Sequence, residues 1–368
     1  MIKILFAVFD RFSHDQRAIE TIQALSMIGN VTVVSYDKIS NVNNVKFVDV
    51  TNGKRNYLAF KKALKREYKK LNPDLVFLHD NYTSFFIEWV KKRNKNTIVG
   101  YDSSELYYDK CGTGVKGLKM ALLNNQEKKY IQKADFVFAA NLERAMIMKD
   151  YFRLKKMPII WDNVHRIDDD IDYSECEKKY DFLFKKQENI ILYCGGIHEN
   201  RGTFDLIRAV EKLGKNYRLI VAGTASEVEK NKFDRMFQES KSKNFNYVGF
   251  VSRSELRFLL KKCKISVSLF DFSCVNHIFC ASGKVYEALF EGVPVLTSLN
   301  PPFKRLCEEN CVGVSTNNFV EGIKRIINDY DYFTKNIKAY IKKIEYDNRI
   351  IKLKEIIEDE IKMVNKNE

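Results

Sequence analysis

The sequence predicts an α/β protein built from two successive Rossmann-like domains. Short β-branched runs alternate with longer amphipathic stretches, as expected of parallel sheets covered on both faces. That alternation starts afresh near residue 188. A chain of 368 residues, 45% of them hydrophobic, is long enough and apolar enough for two cores.

The first series places strands at 2–9 (IKILFAVF), 30–36, 74–80 (DLVFLHD), 96–102, 134–140 and 157–161. Helical patterns at 15–28, 55–71, 84–94, 115–133 and 142–153 lie between them. The second series has strands at 188–194 (ENIILYC), 217–223, 245–250, 264–270, 293–298 and 312–316. Helices near 203–213, 226–240, 254–262, 284–291, 302–309 and 318–328 separate them. The expected organisation is a first domain over 1–165, an acidic and weakly periodic linker over 166–187, and a second domain over 188–328. A Lys- and Glu-rich tail of one or two surface helices follows over 329–368. Ligands of such sheets bind at the carboxyl ends of the strands, and two of them facing each other enclose a cleft.

Composition narrows the function. The 62 basic residues against 48 acidic ones give a net charge of +14, which favours phosphorylated ligands, anionic membrane or nucleic acid. No run reaches the roughly 18 apolar residues of a membrane span, and no aromatic–basic signature of a nucleic-acid module is present. MIKILFAVFDRF is too short for a secretory signal and reads as a buried strand. The eight cysteines (111, 176, 194, 263, 274, 280, 307 and 311) show no metal spacing and read as reduced core residues of a cytoplasmic protein. The five histidines (14, 79, 165, 198 and 277) show no ligand spacing either. The cluster Asp168, Asp169, Asp170 and Asp172 reads as a solvated loop rather than a metal motif.

Two stretches carry candidate chemistry. After the strand ENIILYC comes GGIHENRG (195–202). Gly195 and Gly196 let the backbone approach a ligand, and a helix start offers N–H groups to phosphate. Arg201 adds a planar cation matched to phosphate oxygens, and His198 lies in the same loop. The second stretch is CASGKVYEALFEGVPVLTS (280–298). Here Ser282 and Gly283 open a helix, Lys284 occupies a position the helix dipole disfavours unless an anion is near, and Glu287 can hold a ribose diol. A tight turn with a surface arginine, and a solvent-facing Lys284–Glu287 pair, are the plainer readings of these two stretches. KRNYLAFKKALKREYKK (54–70) holds eight basic residues and one acid. Lys61, Lys62, Lys65, Arg66, Lys69 and Lys70 share one face of a helix there. That face reads either as solvated or as drawn to an anionic membrane.

Together YCGGIHENRG and EALFEGVPV (287–295) resemble the nucleotide-sugar domain of GT-B glycosyltransferases, in particular the retaining family 4 type. VAGTASEV (221–228) and YVGFVSRSELRFLLKKCKISV (247–267) fall where that family has its intervening segments. In the first half, HDQRAIETIQALSMIGNVTVVS (14–35), GYDSSELYYD (100–109) and ADFVFAANLERAMIM (134–148) are similar to its acceptor-side domain. The sequence departs from the family at Phe279, where a sugar-contacting Glu is common, at Ser104, where a His is common, and at Gly196, where an Arg is common.

The resemblance implies a GT-B fold and metal-independent, retaining transfer of a sugar from a UDP- or GDP-sugar to a glycan or lipid-linked acceptor. No cofactor is implied. It places Arg201 and Lys284 on the diphosphate, assisted by Gly195, Gly196, Ser282 and Gly283, with Glu287 on the ribose and His277 near the sugar. Asp102, Ser104 and Glu105 are the first-domain candidates for acceptor or sugar hydroxyls. A sugar-nucleotide epimerase of the same architecture, or an inactive binding relative, remains a competing reading. The tail matches the family's habit of a C-terminal helix crossing back to the first domain.

Overall fold

The computed structural model describes residues 1–10, 12, 15–38, 42–50, 55–106, 108, 114–168, 171–184 and 189–366. Of the positions singled out in the sequence, His14, Lys54, Tyr107, Asp109, Cys111, Asp169 and Asp170 lie outside the described residues. The chain divides into two compact units, one of Met1–Asn163 with Glu345–Glu368 and one of Val164–Ile344. Each is a parallel, doubly wound Rossmann-like sheet.

In the first unit seven strands run β1 (Ile2–Val8), β2 (Gly29–Ser35), β3 (Val45–Asp49), β4 (Leu75–His79), β5 (Ile98–Ser103), β6 (Phe136–Ala139) and β7 (Ile159–Ile160). Their order in the sheet is β3-β2-β1-β4-β5-β6-β7, and every neighbouring pair is parallel. The helices between them are α1 (Gln16–Ile28), α2 (Tyr57–Leu71), α3 (Phe85–Lys91), α4 (Gly114–Tyr130) and α5 (Leu142–Tyr151). The strand β3 is absent from the sequence-based expectation. It is a five-residue edge strand, VKFVD, whose residues stay half-buried or exposed, so no apolar run announces it.

The second unit begins with α6 (Tyr173–Tyr180). Its strands are β8 (Asn189–Cys194), β9 (Tyr217–Ala222), β10 (Phe245–Gly249), β11 (Ile265–Ser268), β12 (Val295–Thr297) and β13 (Gly313–Ser315), in the order β10-β9-β8-β11-β12-β13. Its further helices are α7 (Thr203–Leu213), α8 (Glu227–Glu239), α9 (Arg253–Lys262), α10 (Val275–Ile278), α11 (Gly283–Phe290), α12 (Pro301–Asn310), α13 (Phe319–Asn328) and α14 (Tyr330–Ile344). Then α15 (Arg349–Lys366) packs in the first unit, burying Leu353 and Ile357 against Ile4, Ile22 and Val31.

One boundary needs correcting. The stretch 166–187 is not a linker. Within it Ile167, Cys176, Tyr180 and Leu183 are buried in the core of the second unit, and Asp172 caps α6 by accepting from the Ser174 and Glu175 amides. Its charged surface masked an apolar face at helical spacing, Cys176, Tyr180 and Leu183. Asp168, beside it, pairs with Arg166 at 2.6 Å. The seven described cysteines form no disulfide with one another. Among the described residues no helix is long and apolar enough to cross a membrane.

A buried charge network ties the first unit together at the carboxyl ends of β4 and β5. Arg17, in the first turn of α1, donates from Nε and Nη2 to the two oxygens of Asp102, each at 2.7 Å, and from Nη1 to the Trp161 carbonyl. His79 lies with Nδ1 3.3 Å from Asp102 and Nε2 3.0 Å from Asp15. Burial disfavours the His79 imidazolium, but the two flanking carboxylates outweigh it and raise its pKa to about 10. Burial likewise opposes the Asp102 carboxylate, yet Arg17 and His79 hold it far below the ordinary range.

Asp102→Asn leaves the buried Arg17 guanidinium without its bidentate partner and His79 with Asp15 as its one remaining flanking carboxylate. It is expected to destabilise the chain by about 3–5 kcal/mol in urea unfolding at pH 7. The network is also pH-sensitive with a defined sign. The share due to His79 is complete below its unfolded pKa near 6.5 and is lost as pH rises towards about 10. That due to Asp102 is present above pH ~4 and is lost only in strong acid.

Candidate active site

In both sheets the strand order reverses once, between β1 and β4 and between β8 and β11. Loops leaving adjacent strands on either side of such a point diverge and leave a crevice. The candidate residues gather there.

In the second unit the loop after β8 runs from Gly195 to a single helical turn, Glu199–Arg201, and then into α7 through Gly202. Its course is set by contact with the loop after β9. The Gly195 amide donates to the Ala222 carbonyl and the Ile197 amide to the Thr224 carbonyl, each at 2.9 Å. Gly223 has φ 138°, and a Cβ there would lie 1.8 Å from the Gly195 carbonyl oxygen, so the crossing requires glycine. This corrects one expected role, because the Gly195 N–H is engaged by Ala222 and is not a phosphate donor.

Arg201 folds back over its own loop. Its Nη1 would be 3.9 Å from a Cβ at Gly196, and its guanidinium lies 4.9 Å from the centre of the Phe270 ring. Phe270 follows β11, so Arg201 spans the reversal point. His277 packs edge-on against the same ring at 5.8 Å and is held by Asp271 at 2.9 Å. His198 is held by Glu229 at 2.8 Å, and Glu229 is itself fixed in the capping box that Ser226 forms at the start of α8. His198, Glu199, Arg201, Glu229, Asp271 and His277 line an open concavity of about 340 Å³.

The other stretch meets this loop at its root. Lys284 and Glu287 both act electrostatically on Cys194, the last residue of β8. Ser282 stands at the N-cap of α11 without capping it by its side chain, and no acid occupies the first turn. The first-turn amides are thus left to a ligand or solvent. A Cβ at Gly283 would fall 2.1 Å from Nδ1 of His165, so this glycine lets the helix start pack on that ring. His165 entered the sequence reading only as one of five histidines without ligand spacing, since only the fold brings it to residue 283.

Glu287 is buried, and burial raises its pKa against the pull of Lys284 and Arg253. Among the described residues it has no hydrogen-bond or ion-pair partner. Nor do Arg201 and Lys284 form an ion pair with any described carboxylate. Lys284 and Glu287 are therefore not the solvent-facing pair that their spacing allowed.

The first-unit candidates separate. Asp102 is 2% exposed with both oxygens engaged by Arg17, so its expected role toward a ligand hydroxyl is corrected to a positioning one. Ser104 is half-buried, and its carbonyl accepts from Arg144. Glu105 keeps a half-exposed carboxylate 3.5 Å from the buried Arg144 guanidinium.

The sequence reading missed Asp80, at the reversal point beside β4. Its backbone has φ 67° and ψ 165°, a region that non-glycine residues rarely adopt. Its Oδ1 is buried without a hydrogen-bond partner, as are both side-chain polar atoms of Asn81. Burial raises the Asp80 pKa to about 7, with His79 opposing and Glu105 adding to the rise. Nearby Glu127 accepts from Tyr101 at 2.7 Å and Ser103 at 2.9 Å, and burial raises its pKa to about 8. A costly carboxyl group with one buried oxygen left unbonded at a strand's carboxyl end is a functional signal. Among the described residues no group of three His, Cys, Asp or Glu is placed to hold a metal.

Residues 175–344 match the family model described as glycosyl transferases group 1. A comparison with curated proteins gives no match. Among solved structures, sucrose-phosphate synthase from Thermosynechococcus elongatus is similar at a TM-score of 0.73 and 13% identity, over 98% of this chain and 99% of that one. Anabaena HepE in complex with UDP-glucose is similar at 0.69 and 13%, over 98% and 100%. An α,α-trehalose-phosphate synthase (UDP-forming) from Burkholderia xenovorans, in complex with glucose-6-phosphate, is similar at 0.67 and 10%, over 98% and 100%. The fold is GT-B in both units, and the family-model match lies within the second of them.

The Asp80 environment has a measurable consequence. Its raised pKa lowers stability as pH rises from about 4 to about 7, because the unfolded chain ionises first. Asp80→Asn is expected to be more stable than the parent chain by on the order of 2 kcal/mol at pH 8. Urea melts should show that advantage shrinking toward pH 4.

Proposed function

We propose, for a chain of GT-B fold whose residues 175–344 match the group 1 glycosyl transferases, that it transfers a sugar from a nucleotide diphosphate sugar, UDP- or GDP-linked, to a glycan or lipid-linked acceptor. The observation that carries this reading is the pair of cations, Arg201 and Lys284, that form no ion pair with any described carboxylate and stand at the carboxyl end of one strand beside an uncapped helix start. Cations held in no ion pair beside a helix N-terminus suit a diphosphate. HepE, similar in fold, is described in complex with UDP-glucose, which supports the same donor class.

In this reading Arg201 and Lys284 neutralise charge that grows on the leaving diphosphate, the main electrostatic demand of the step. The α11 amides at Gly283 and Lys284 add donors, and Ser282 lies at the same helix start. Glu287, buried and unpartnered, receives the ribose diol. His198 and His277, each oriented by a carboxylate, lie near the sugar. On the first unit Glu105 and Asp80 are assigned to acceptor hydroxyls. The stereochemical outcome is assigned as retention, with the leaving phosphate assisting deprotonation of the acceptor. The two cations take the neutralising role, so the reaction is assigned as metal-independent.

Two measurements test this. In a thermal-shift panel of UDP, GDP, CMP and their sugars, one nucleoside diphosphate is expected to raise the melting temperature. Arg201→Ala and Lys284→Ala should each weaken its binding, and each should slow transfer by roughly a hundredfold. A folded chain indifferent to every nucleotide, or unchanged affinity in both variants, refutes the assignment. Turnover that persists in EDTA supports metal independence, and turnover that stops contradicts it. Epimerised sugar without transfer would move the chain to a different reaction class.

A further inference from the structure

The first unit carries an exposed apolar surface that the transfer chemistry does not use. Leu58 on α2 is 70% exposed, and Leu118 and Leu122 on α4 are 66% and 63% exposed. Isolated exposed leucines need no explanation, but these flank residues that converge on one ring, Tyr82.

Tyr82 joins them. The Tyr57 hydroxyl, next to Leu58, donates to the Tyr82 carbonyl at 2.8 Å. Arg55 and Lys119 each lie 5.2 Å from the Tyr82 ring centre, and Lys61 lies 5.0 Å from both the Tyr57 and Phe85 rings. On α4, residues 118, 119, 122 and 126 share one face by helical spacing. That face packs inward at Gln126, which donates to Ser84 Oγ at 3.0 Å. One and two turns earlier it is uncovered. The result is a patch of three leucines and the aromatic rings of Tyr57 and Tyr82, rimmed by Arg55, Lys61 and Lys119.

The two helices contribute charge of one sign to the patch, and Asp10, next to the Phe9 ring that packs on Tyr57 and Tyr82, is an exposed acid near it. The single acidic residue of α2, Glu67, and the single acidic residue of α4, Glu127, are both buried. The exposed faces of both helices therefore offer cations and apolar groups without an acid among them. Leucines to enter acyl chains, tyrosines at the level of the headgroups and lysines for lipid phosphate are the components of an interfacial membrane site.

We infer that this edge of the first unit, formed by the start of α2, the 81–83 turn and α4, docks on an anionic lipid bilayer. The inserting residues are Leu58, Leu118 and Leu122, and Arg55, Lys61 and Lys119 contact the phosphates. It differs from attraction through the whole basic face of α2, because Lys69 and Lys70 lie at the far end of that helix. The patch is two residues along the chain from Asp80. Docking there brings the bilayer to the acceptor side, a purpose that rests on the transfer reading above.

Co-sedimentation of the full chain with vesicles tests it. Binding is expected to vesicles of phosphatidylcholine with 30% phosphatidylglycerol, composition as used in the assay, and to be at least tenfold weaker to pure phosphatidylcholine. Leu118→Ser with Leu122→Ser, and separately Lys61→Gln with Lys119→Gln, should each weaken anionic-vesicle binding about tenfold or more while leaving the circular dichroism spectrum and the nucleotide-induced thermal shift unchanged. Failure of the parent chain to bind, or unchanged binding in both double variants, overturns the inference. Loss in the lysine variant with none in the leucine variant assigns the surface to a soluble polyanion instead and also overturns it. The nucleotide shift reports separately on the proposed function, so the two readings fail independently.

Discussion

The reversal of strand order in each parallel sheet is the constraint on which the site depends. Every connection between parallel neighbours must cross over one face, and connections that leave in opposite directions part at the reversal. The crevice at β8 and β11 receives Gly195, Gly196 and Arg201 from one side and Phe270, Asp271 and His277 from the other. The one at β1 and β4 receives Arg17 and Asp15 from one side and His79 and Asp80 from the other. Neither group is close in sequence. The topology alone makes each of them a cluster.

The two clusters handle charge in opposite ways. In the first unit Arg17 and His79 face Asp15 and Asp102, two cations against two anions, all within salt-bridge distance. Such a set is closed, and its removal from water is offset by its internal pairing. It fixes where the backbone leaves β4, and so where Asp80 stands. In the second unit Arg201 and Lys284 form no ion pair with a described carboxylate, and Glu287 forms none with a described cation. That set is open. A closed network gives a rigid base, and an open one gives affinity for a ligand of the missing charge.

How much of this was legible in the sequence follows from what each feature depends on. GGIHENRG and SGKVYE could be found because a strand, a glycine pair, a helix start and a cation follow one another along the chain. Most strands of the second unit were visible because they are buried apolar runs, while β10 (FNYVG) is half-buried after Phe245. Asp80 was invisible, because LVFLHD reads as any strand end until burial and a positive φ are known. Asp102 was misjudged for the same reason. A carboxylate at a strand end looks available until an arginine 85 positions away is folded onto it. The stretch 166–187 failed differently. Its acids and lysines cover the outer side of α6, while Cys176 and Tyr180 reach the core from the inner side.

The backbone at Asp80 sharpens what its side chain must be for. A glycine would take φ 67° and ψ 165° without strain and would leave no carboxyl group to bury. An aspartate there carries a conformational cost of about 1–3 kcal/mol and the further cost of a buried, unpaired oxygen. Asn81 beside it adds two more unsatisfied polar atoms. The turn is nonetheless well held, since the Thr83 amide and hydroxyl both return to the Asp80 carbonyl, at 3.0 and 2.8 Å. The strain is therefore not a loose end of the fold. It sits on a rigid turn at the end of a central strand and concentrates on groups able to bond a hydroxyl. A structural role would be served better by glycine, which makes the carboxyl group itself the reason for the residue.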